Sequence, residues 1–184
     1  MIIISAPSGA GKTTLVMRLL QEFPNFAFSV SATSRAPRGT ERNGIDYHFL
    51  TAGEFDASVK RGEFVEWEEV YSGIRYGTLH SELDRLRSEG KTIIFDVDVR
   101  GGIRLKEIFG ARALSVFIMP PSINELRRRL VARGTDAPET IGKRVDKAEQ
   151  EISLNSRFDR IVVNDDLEDA YWQLKAVIQE FMLQ

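Results

Sequence analysis

The chain has 184 residues, of which 42% are apolar and 28% are charged, and its formal net charge is −2. These values are typical of a soluble globular protein, and the near-neutral charge argues against a general nucleic-acid-binding surface. The chain has no cysteine and only two histidines, which excludes disulfides and thiolate metal sites and argues against a zinc site.

Apolar periodicity predicts strands and helices that alternate along the chain. From the first residue it predicts a strand at 2–5, a helix at 13–22, a strand at 26–30, a polar loop at 31–44 and a strand at 45–50. A helix ending at residue 60, a strand at 64–70, a helix at 81–88, a strand at 91–97 and a helix at 103–109 follow. The last third contains a strand at 113–119, two helices separated by a loop at 133–138, a strand at 160–163 and a helix at 167–181. Thr51 with Glu54 and Ser122 with Glu125 form capping boxes that mark two of the helix starts.

Near-continuous apolar strands that alternate with helices indicate an α/β fold, with a parallel sheet covered by helices on both faces. We assign this core to residues 1–31, 81–121 and 151–184. Residues 32–80 are rich in charged and aromatic side chains, and their short strands favour a mixed sheet inserted into the core. Residues 122–150 carry seven basic side chains and one short apolar face, a pattern that suits a mobile helical lid.

The first predicted strand leads directly into a glycine-rich loop that ends in Gly-Lys-Thr, and a helix follows at once. This order is the context in which a phosphate-binding loop is credible; the alternative is a glycine-rich turn before an ordinary helix. Backbone N–H groups and the helix N-terminus would surround phosphate oxygens, and Lys12 would reach the β- and γ-phosphates. The Thr13 hydroxyl would bind Mg²⁺, although Ala6 replaces the first consensus glycine. The predicted ATP-binding residues of this segment are Ala6, Pro7, Ser8, Gly9, Ala10, Gly11, Lys12, Thr13 and Thr14.

Two acids, Asp96 and Asp98, stand at the carboxyl end of a predicted buried strand. Such an acid can hold Mg²⁺ opposite a phosphate loop, and this assigns Asp96 to the metal site. Strands also often end in Asp at a turn, so the position alone is a weak signal. Asp98 lies on the same side of the extended chain and could face the metal or the acceptor. It could instead cap the turn at Gly101-Gly102.

A third segment of chemical interest is the loop that carries Arg35 and Arg38, which Pro37 stiffens. Two guanidinium forks three residues apart could grip a phosphate monoester dianion. The alternative is a solvated basic loop, and for two arginines alone it would be the better interpretation. Beside a phosphate loop it is the weaker one, because phosphoryl transfer needs a second anion held in line.

Several motifs in this chain resemble those of the guanylate kinases and occur in the same order. They are Ser-Ala-Pro-Ser-Gly-Ala-Gly-Lys, Ser-x-Thr-x-Arg-x-Pro-Arg-x-x-Glu, Gly-x-Asp-Tyr, Phe-x-Glu-Trp, Tyr-Gly-Thr, Asp-Val-Asp-x-x-Gly-Gly and Val-Asn-Asp-Asp. The resemblance covers essentially the whole chain. It implies a P-loop nucleoside monophosphate kinase fold, with a parallel β-sheet core flanked by helices, an inserted GMP-binding domain at 32–80 and a helical lid at 122–150. It also implies Mg²⁺-dependent transfer of the ATP γ-phosphoryl group to GMP, giving GDP and ADP.

The same resemblance implies roles for individual residues. It assigns the GMP phosphate to Arg35, Arg38, Tyr47 and Tyr76, and guanine to Ser31, Glu66, Thr78 and Asp98. Glu41, the last residue of the arginine motif, joins this GMP-binding set. Arg129, Arg133 and Arg144 match the lid arginines that close on the phosphates, so the predicted catalytic residues are Lys12, Arg38, Arg129, Arg133 and Arg144. Asn164 and Asp165 are implied, more loosely, to lie near adenine.

The chemistry of guanine supports the assignment of Glu66. A carboxylate can accept hydrogen bonds from both N1–H and the N2 amino group, whereas adenine presents a bare acceptor that a carboxylate repels. Ser31 or Thr78 could donate to guanine O6. The pattern alone does not separate Glu66 from Glu68, because the stretch up to Tyr76 is one residue longer than the usual motif and Arg75 replaces a frequent aromatic. Tyr47 could instead be an ordinary half-buried aromatic.

Arg129 lies four residues after Glu125, so an ordinary surface ion pair is an alternative to a catalytic role. Exposed pairs contribute only ~0–1 kcal/mol, whereas an arginine that spreads phosphoryl charge can raise the rate by ~10³–10⁵. Positioning, Mg²⁺ and positive charge would then support direct in-line attack without a covalent intermediate.

Two other functions would keep parts of this pattern. Another small-molecule P-loop kinase, such as one acting on a sugar phosphate, would have no need of Glu66. A non-enzymatic guanylate-kinase-like scaffold module characteristically lacks the phosphate loop that Lys12 and Thr13 indicate here. No apolar run approaches the ~20 residues of a membrane span, and no basic leader is visible. We therefore expect a cytoplasmic monomer or homo-oligomer that binds ATP and GMP, with neither nucleic acid nor membrane as a partner.

Overall fold

The computed structural model describes residues 1–71, 73–132, 134 and 137–183. The chain divides into two compact units, the first comprising Met1–Pro24 and Phe95–Gln184 and the second Asn25–Ile94. The strands are β1 (Ile2–Ser5), β2 (Phe26–Phe28), β3 (Ala32–Thr33), β4 (His48–Phe49), β5 (Phe64–Tyr71), β6 (Ile74–Leu79), β7 (Thr92–Val97), β8 (Leu114–Met119) and β9 (Arg160–Val163). The α-helices are α1 (Lys12–Glu22), α2 (Ala52–Lys60), α3 (His80–Ser88), α4 (Val99–Phe109), α5 (Ile123–Ala132), α6 (Pro138–Ile152) and α7 (Leu167–Met182).

The first unit is built on parallel strands in the order β7-β1-β8-β9, with the carboxyl half of β7 belonging to it. All four residues of β1 and five of the six in β8 are buried, as expected for strands covered on both faces. Helices α1, α4 and α7 pack against this sheet, and α5 and α6 belong to the same unit. The predicted α/β class with a parallel sheet is confirmed. Because parallel strands end at one edge, the segments that follow β1, β7, β8 and β9 gather there, where such folds bind ligands.

The second unit contains a four-stranded mixed sheet in the order β4-β3-β6-β5. The β3–β4 pair is parallel, while β3–β6 and β5–β6 are antiparallel. Strand β2 pairs in parallel with the first half of β7, from Phe26 opposite Thr92 to Phe28 opposite Ile94. The mixed sheet predicted for this part of the chain is therefore present. The finer division of the chain into core, GMP-binding domain and lid remains a prediction.

The second unit differs from the prediction at three elements, the first being β3 (Ala32–Thr33), which lies inside the polar loop predicted at 31–44. The strand predicted at 45–50 is wrong apart from His48–Phe49, since Gly44 has φ +77° and Asp46 accepts a hydrogen bond from the Arg42 N–H at 2.7 Å, which makes a turn. Strand β6 was not predicted, because Arg75 and Gly77 break its apolar alternation. The helix predicted at 103–109 begins earlier, at Val99, because Asp98 caps it. The loop predicted at 133–138 falls largely on residues outside those described.

Among the residues described, no helix is both long and apolar enough to cross a membrane.

Candidate active site

The loop between β1 and α1 is shaped by two glycines in the left-handed region. Gly9 has φ +93° and Gly11 has φ +88°, which are backbone conformations that residues with a Cβ rarely adopt. Ala6, at the position of the missing glycine, is buried, and no described residue other than glycine has a positive φ. Alanine at this position therefore requires no strained backbone. Thr13 and Thr14 are exposed in the first turn of α1.

Lys12 and Asp96, predicted to serve phosphate and metal, lie in contact in the first unit. The Lys12 ammonium forms an ion pair with the Asp96 carboxylate and donates a hydrogen bond to the carbonyl of Val97 at 2.7 Å. Both side chains are mostly buried. The structure thus brings the loop lysine and the acid at the end of β7 to one point, with Thr13 next to Lys12 in the chain.

Asp98 caps helix α4, as the structural alternative in the sequence analysis expected, and its predicted contact with guanine stays a prediction. Its side chain accepts a hydrogen bond from the Gly101 N–H at 2.9 Å and caps α4, and its carbonyl accepts one from the Ser5 hydroxyl at 3.2 Å. A Cβ on Gly102 would overlap the Ser5 hydroxyl, so Gly102 permits this close approach of α4 to β1.

Glu151, near the end of α6, is a buried acid that our sequence analysis missed. Burial raises its pKa, the nearby Asp98 carboxylate adds to this, and Lys147 and Lys12 oppose it. Lys147 lies 3.4 Å away and four residues earlier. That spacing is also typical of a surface ion pair, so nothing in the sequence marks Glu151 as buried.

Asn164 and Arg129 connect the segment after β9 to the phosphate loop and to α5. The buried Asn164 side chain donates a hydrogen bond to the carbonyl of Ala10 at 2.7 Å. Arg129 donates to the Asn164 carbonyl at 2.9 Å and to the Asp165 carbonyl at 3.3 Å, and it pairs with Glu125 at 2.8 Å. Arg129 therefore holds the segment that the resemblance placed near adenine.

Helices α5 and α6 share an apolar core of their own. This cluster consists of Leu126, Leu130, Ile141, Val145 and Ala148, with Ile123 packed against it. A Cβ on Gly9 would touch the Leu130 side chain at 3.0 Å, so α5 lies against the phosphate loop. Arg144 reaches the same loop and donates to the Ser8 hydroxyl at 3.2 Å. Arg133, the third predicted lid arginine, lies outside the described residues.

In the second unit, Arg35 lies at the centre of the residues predicted to bind the GMP phosphate. It pairs with Glu41 through both terminal nitrogens, at 2.6 and 2.8 Å, and its Nε donates to the Tyr76 hydroxyl at 3.0 Å. Its guanidinium lies 4.8 Å from the centre of the Tyr47 ring, which in turn packs edge-on against Tyr76. The Arg35 guanidinium holds the pKa of Glu41 at about 2, with help from the Arg38 N–H. Arg38 itself is exposed.

Three of the four residues predicted to contact guanine, namely Ser31, Glu66 and Thr78, lie in one row across the mixed sheet, whereas Asp98 belongs to the first unit. Glu66 stands opposite Thr78 in the β5–β6 pair, and extending the β3–β6 register by one residue places Ser31 on the other side of Thr78. Glu66 is only 7% exposed and accepts a hydrogen bond from the Thr78 hydroxyl at 2.7 Å. Glu68 stands opposite Tyr76 and is less buried, whereas Glu69 is exposed. Register irregularities lie between Phe64 and Glu66 and between Glu69 and Tyr71, and the pairing is continuous from Glu66 opposite Thr78 to Glu69 opposite Arg75.

A parallel sheet with a phosphate loop after its first strand and an acid at the end of a neighbouring strand is the fold of a P-loop kinase. The family model described as guanylate kinase matches residues 1–181. The chain therefore belongs to the guanylate kinase family.

Individual relatives agree with this assignment. The chain is 54% identical to the guanylate kinase of Porphyromonas gingivalis over 183 residues, covering 99% of this chain and 97% of that protein. It is 51% identical to the guanylate kinase of Bacteroides fragilis over 181 residues, covering 98% of this chain and 89% of that protein. The crystal structure of guanylate kinase from Anaplasma phagocytophilum superposes with a TM-score of 0.81 at 30% identity, covering 100% of this chain and 86% of that chain.

Proposed function

We propose that this member of the guanylate kinase family transfers the γ-phosphoryl group of ATP to GMP and releases ADP and GDP. Family membership over residues 1–181 supports the reaction class. The observation that carries the choice of acceptor is the buried Glu66 carboxylate, oriented by the Thr78 hydroxyl within a row of three polar side chains. Such a carboxylate can accept hydrogen bonds from a ligand that presents two adjacent N–H donors.

Guanine supplies donors that fit this row. Its N1–H and N2 amino group would donate to the Glu66 carboxylate, whose Oε1 already accepts from Thr78. Because the single hydroxyl proton of Thr78 is used in that bond, we assign the hydrogen bond to guanine O6 to the Ser31 hydroxyl. AMP would leave the Glu66 carboxylate desolvated and without these donors, which is the basis for its rejection.

The acceptor phosphate is assigned to Arg38, Arg35, Tyr47 and Tyr76. Arg35 uses four of its five N–H groups on Glu41, Tyr76 and the Ala36 carbonyl. We therefore expect the exposed Arg38 to make the principal charged contact with the phosphate. Arg35 would make one further contact and hold Tyr76 and Glu41 in place.

The donor phosphates are assigned to the phosphate loop, with Lys12 at the β- and γ-phosphates. ATP would compete with Asp96 for the Lys12 ammonium, which is a flexible point charge that can move between two anions. Arg144, now on Ser8 of the loop, and Arg129 would add positive charge near the transferred group. Asn164 and Asp165 would border adenine.

The donor set at this site fits Mg²⁺. The Asp96 carboxylate and the Thr13 hydroxyl supply oxygen, the ligand that Mg²⁺ prefers, and Mg²⁺ commonly binds through one or two protein groups together with substrate phosphates. No group of three or more potential metal ligands of the His, Cys, Asp and Glu types occurs in the part of the chain that the structure describes. The ion would therefore be held jointly by these residues and the nucleotide. When bound, it neutralises charge on the β- and γ-phosphates.

The chemistry needs no covalent intermediate. A phosphate oxygen of GMP attacks the γ-phosphorus, and the bond to the leaving ADP oxygen breaks on the opposite side. The protein contributes positioning of both phosphates and positive charge where the transferred group spreads its negative charge.

We further propose that the protein works in the cytoplasm, as a monomer or homo-oligomer, on small-molecule substrates and without nucleic acid or membrane partners.

The test is a panel of acceptors, GMP, AMP, CMP and UMP, with ATP and Mg²⁺. We expect GMP to be preferred over AMP by ~10⁴–10⁵ in kcat/KM. Glu66→Gln should lower kcat/KM far more for GMP than for AMP, which reduces the ratio of the two kcat/KM values. The matched control is Glu69→Gln, on the opposite face of β5, where Glu69 is exposed and accepts from the Gly73 N–H at 3.1 Å. Preference for AMP, CMP or UMP would contradict the acceptor assignment. An unchanged GMP/AMP ratio in Glu66→Gln would contradict only the role of Glu66 and would leave the acceptor assignment standing.

A further inference from the structure

Glu82, in the first turn of α3, is a buried acid to which the proposed mechanism gives no role. It is only 5% exposed. One carboxylate oxygen accepts a hydrogen bond from the backbone N–H of Val30 at 3.0 Å, and both oxygens accept from Arg85, at 2.9 and 3.0 Å. The His48 ring lies 4.0 Å away. All four residues belong to the second unit.

The Glu82 carboxylate is charged in this setting. Burial raises its pKa, but the hydrogen bonds from Arg85 and Val30 and the proximity of His48 outweigh burial and hold the pKa below its usual range. The pair with Arg85, three residues later, could form equally well on an exposed helix face and gives no reason for burial. The bond that requires a buried carboxylate is the one to the Val30 N–H, in the segment between β2 and β3.

This bond fixes the residue next to Ser31. The Val30 N–H is held by Glu82, and the Ser31 carbonyl accepts a hydrogen bond from the His48 N–H at 2.9 Å. Ser31 is therefore anchored on both sides by backbone contacts and is itself buried. Thr78, its neighbour in the guanine row, stands four residues before Glu82 on the segment that runs from β6 into α3. One short stretch of chain thus carries Thr78 and holds the backbone beside Ser31.

We propose that Glu82 is a positioning residue for guanine recognition, which acts through the Val30 N–H to place the Ser31 hydroxyl at guanine O6. This inference rests on the proposed function. Glu82 does not touch the nucleotide; it sets the backbone from which Ser31 projects. Glu82 should therefore affect binding of the acceptor base, while ATP binding and the transfer step stay close to normal.

The experiment measures KM for GMP, KM for ATP and kcat in Glu82→Ala, Ser31→Ala and the double variant. We expect Glu82→Ala to raise KM for GMP by about tenfold, the effect of losing a charge-assisted hydrogen bond, with kcat and KM for ATP changed less than about twofold. In the Ser31→Ala background the same substitution should change KM for GMP by less than about threefold, because effects on one shared contact are not additive. A merely structural role for Glu82 would lower stability in both backgrounds and would leave this coupling absent.

Further variants complete the test. Glu82→Gln keeps an amide oxygen that can accept from the Val30 N–H, so KM for GMP should recover to within about threefold of wild type. Glu82→Leu, which offers no acceptor, and its Ser31→Ala double carry the test if Glu82→Ala does not fold. Arg85→Leu removes the surface partner and should leave KM for GMP within about twofold. An unchanged KM for GMP in Glu82→Ala or Glu82→Leu, or equal effects of these substitutions with and without the Ser31 hydroxyl, would overturn the proposal. A wild-type protein that does not prefer GMP would instead overturn the proposed function.

Discussion

Replacing Gly11 with alanine tests how the phosphate loop is held against the segment that follows β9. Gly11 has φ +88°, and a Cβ at this position would overlap the side-chain nitrogen of Asn164. That nitrogen donates to the buried carbonyl of Ala10 at 2.7 Å. Gly11→Ala therefore imposes backbone strain and also displaces the Asn164 amide from its acceptor.

The two effects can be estimated separately. Alanine in the left-handed region costs about 1–2 kcal/mol. Loss of the hydrogen bond to a buried carbonyl costs about 1–3 kcal/mol, because the acceptor is left without a partner. We therefore expect Gly11→Ala to lower the free energy of unfolding by about 2–5 kcal/mol. In an Asn164→Ala background the amide is already gone, so the same substitution should cost only the strain, about 1–2 kcal/mol.

Urea denaturation of the wild type, both single variants and the double variant gives the coupling energy, which we expect to be about 1–3 kcal/mol. Gly90→Ala is the matched control: Gly90 has φ +68°, and no described atom lies within 4 Å of the Cβ it would gain. Its cost should be strain alone and independent of Asn164. Equal costs for Gly11→Ala in the two backgrounds would refute the argument that Asn164 and Gly11 form one contact.

Other residues give shorter tests. Lys12→Ala should keep the fold but lose ~10²-fold or more in turnover, and near-normal turnover by a folded variant would contradict the phosphate-loop assignment. Arg38→Met should raise KM for GMP and lower kcat while calorimetry shows near-normal ATP binding; equal weakening of both nucleotides would place Arg38 elsewhere. Hydrogen exchange across α5 and α6 should slow when both nucleotides are bound, and identical exchange in free and doubly bound protein would rule out a closing lid. Because the pKa of Glu41 is lowered to about 2, its pair with Arg35 contributes stability that is present above the ordinary glutamate pKa and is lost as pH falls through about 2. In Glu41→Gln this loss between about pH 4.5 and pH 2 should be smaller than in wild type.

Elements that carry their own local signal could be predicted from the sequence. The capping box at Thr51 is complete in the structure, with Thr51 accepting from the Glu54 N–H at 3.2 Å and Glu54 accepting from the Thr51 N–H at 2.7 Å. Strand β1 and helix α1 likewise follow from a β-branched run and from helical apolar spacing. In each case, neighbouring residues in the chain decide the structure.

Strand β6 could not be predicted, because its partners are distant in sequence. Its middle residue, Gly77, packs so closely against β5 that a Cβ would lie 2.7 Å from the Glu66 carbonyl and from the Phe64 side chain. Arg75 pairs with Asp56 and lies over the Phe55 ring, with 4.8 Å from the guanidinium carbon to the ring centre. Neither residue favours a strand by itself. Pairing with β3 and β5 on both sides overrides these local preferences.

The same limit applies to the candidate site. The motifs indicated which side chains carry the chemistry, but not whether each faces a ligand or another residue. The sequence left two roles open for Asp98; the structure shows its side chain capping α4, and its contact with guanine stays a prediction. For Glu66 the undecided neighbour was Glu68, and the strand register buries Glu66 beside Thr78.

Arg129 shows why the alternative of a simple surface pair is insufficient. The predicted pair with Glu125 exists, and the hydrogen bonds from Arg128 and Arg129 hold the pKa of Glu125 at about 2. Yet the Arg129 side chain is only 25% exposed and also donates to two backbone carbonyls after β9. An ion pair that contributes only ~0–1 kcal/mol does not explain why the guanidinium is buried. The burial is explained by the contacts through which Arg129 joins α5 to the segment that carries Asn164. Any movement of α5 as a lid must therefore break or carry along these contacts, so closure of α5 and the placing of the ATP-side segment should be coupled.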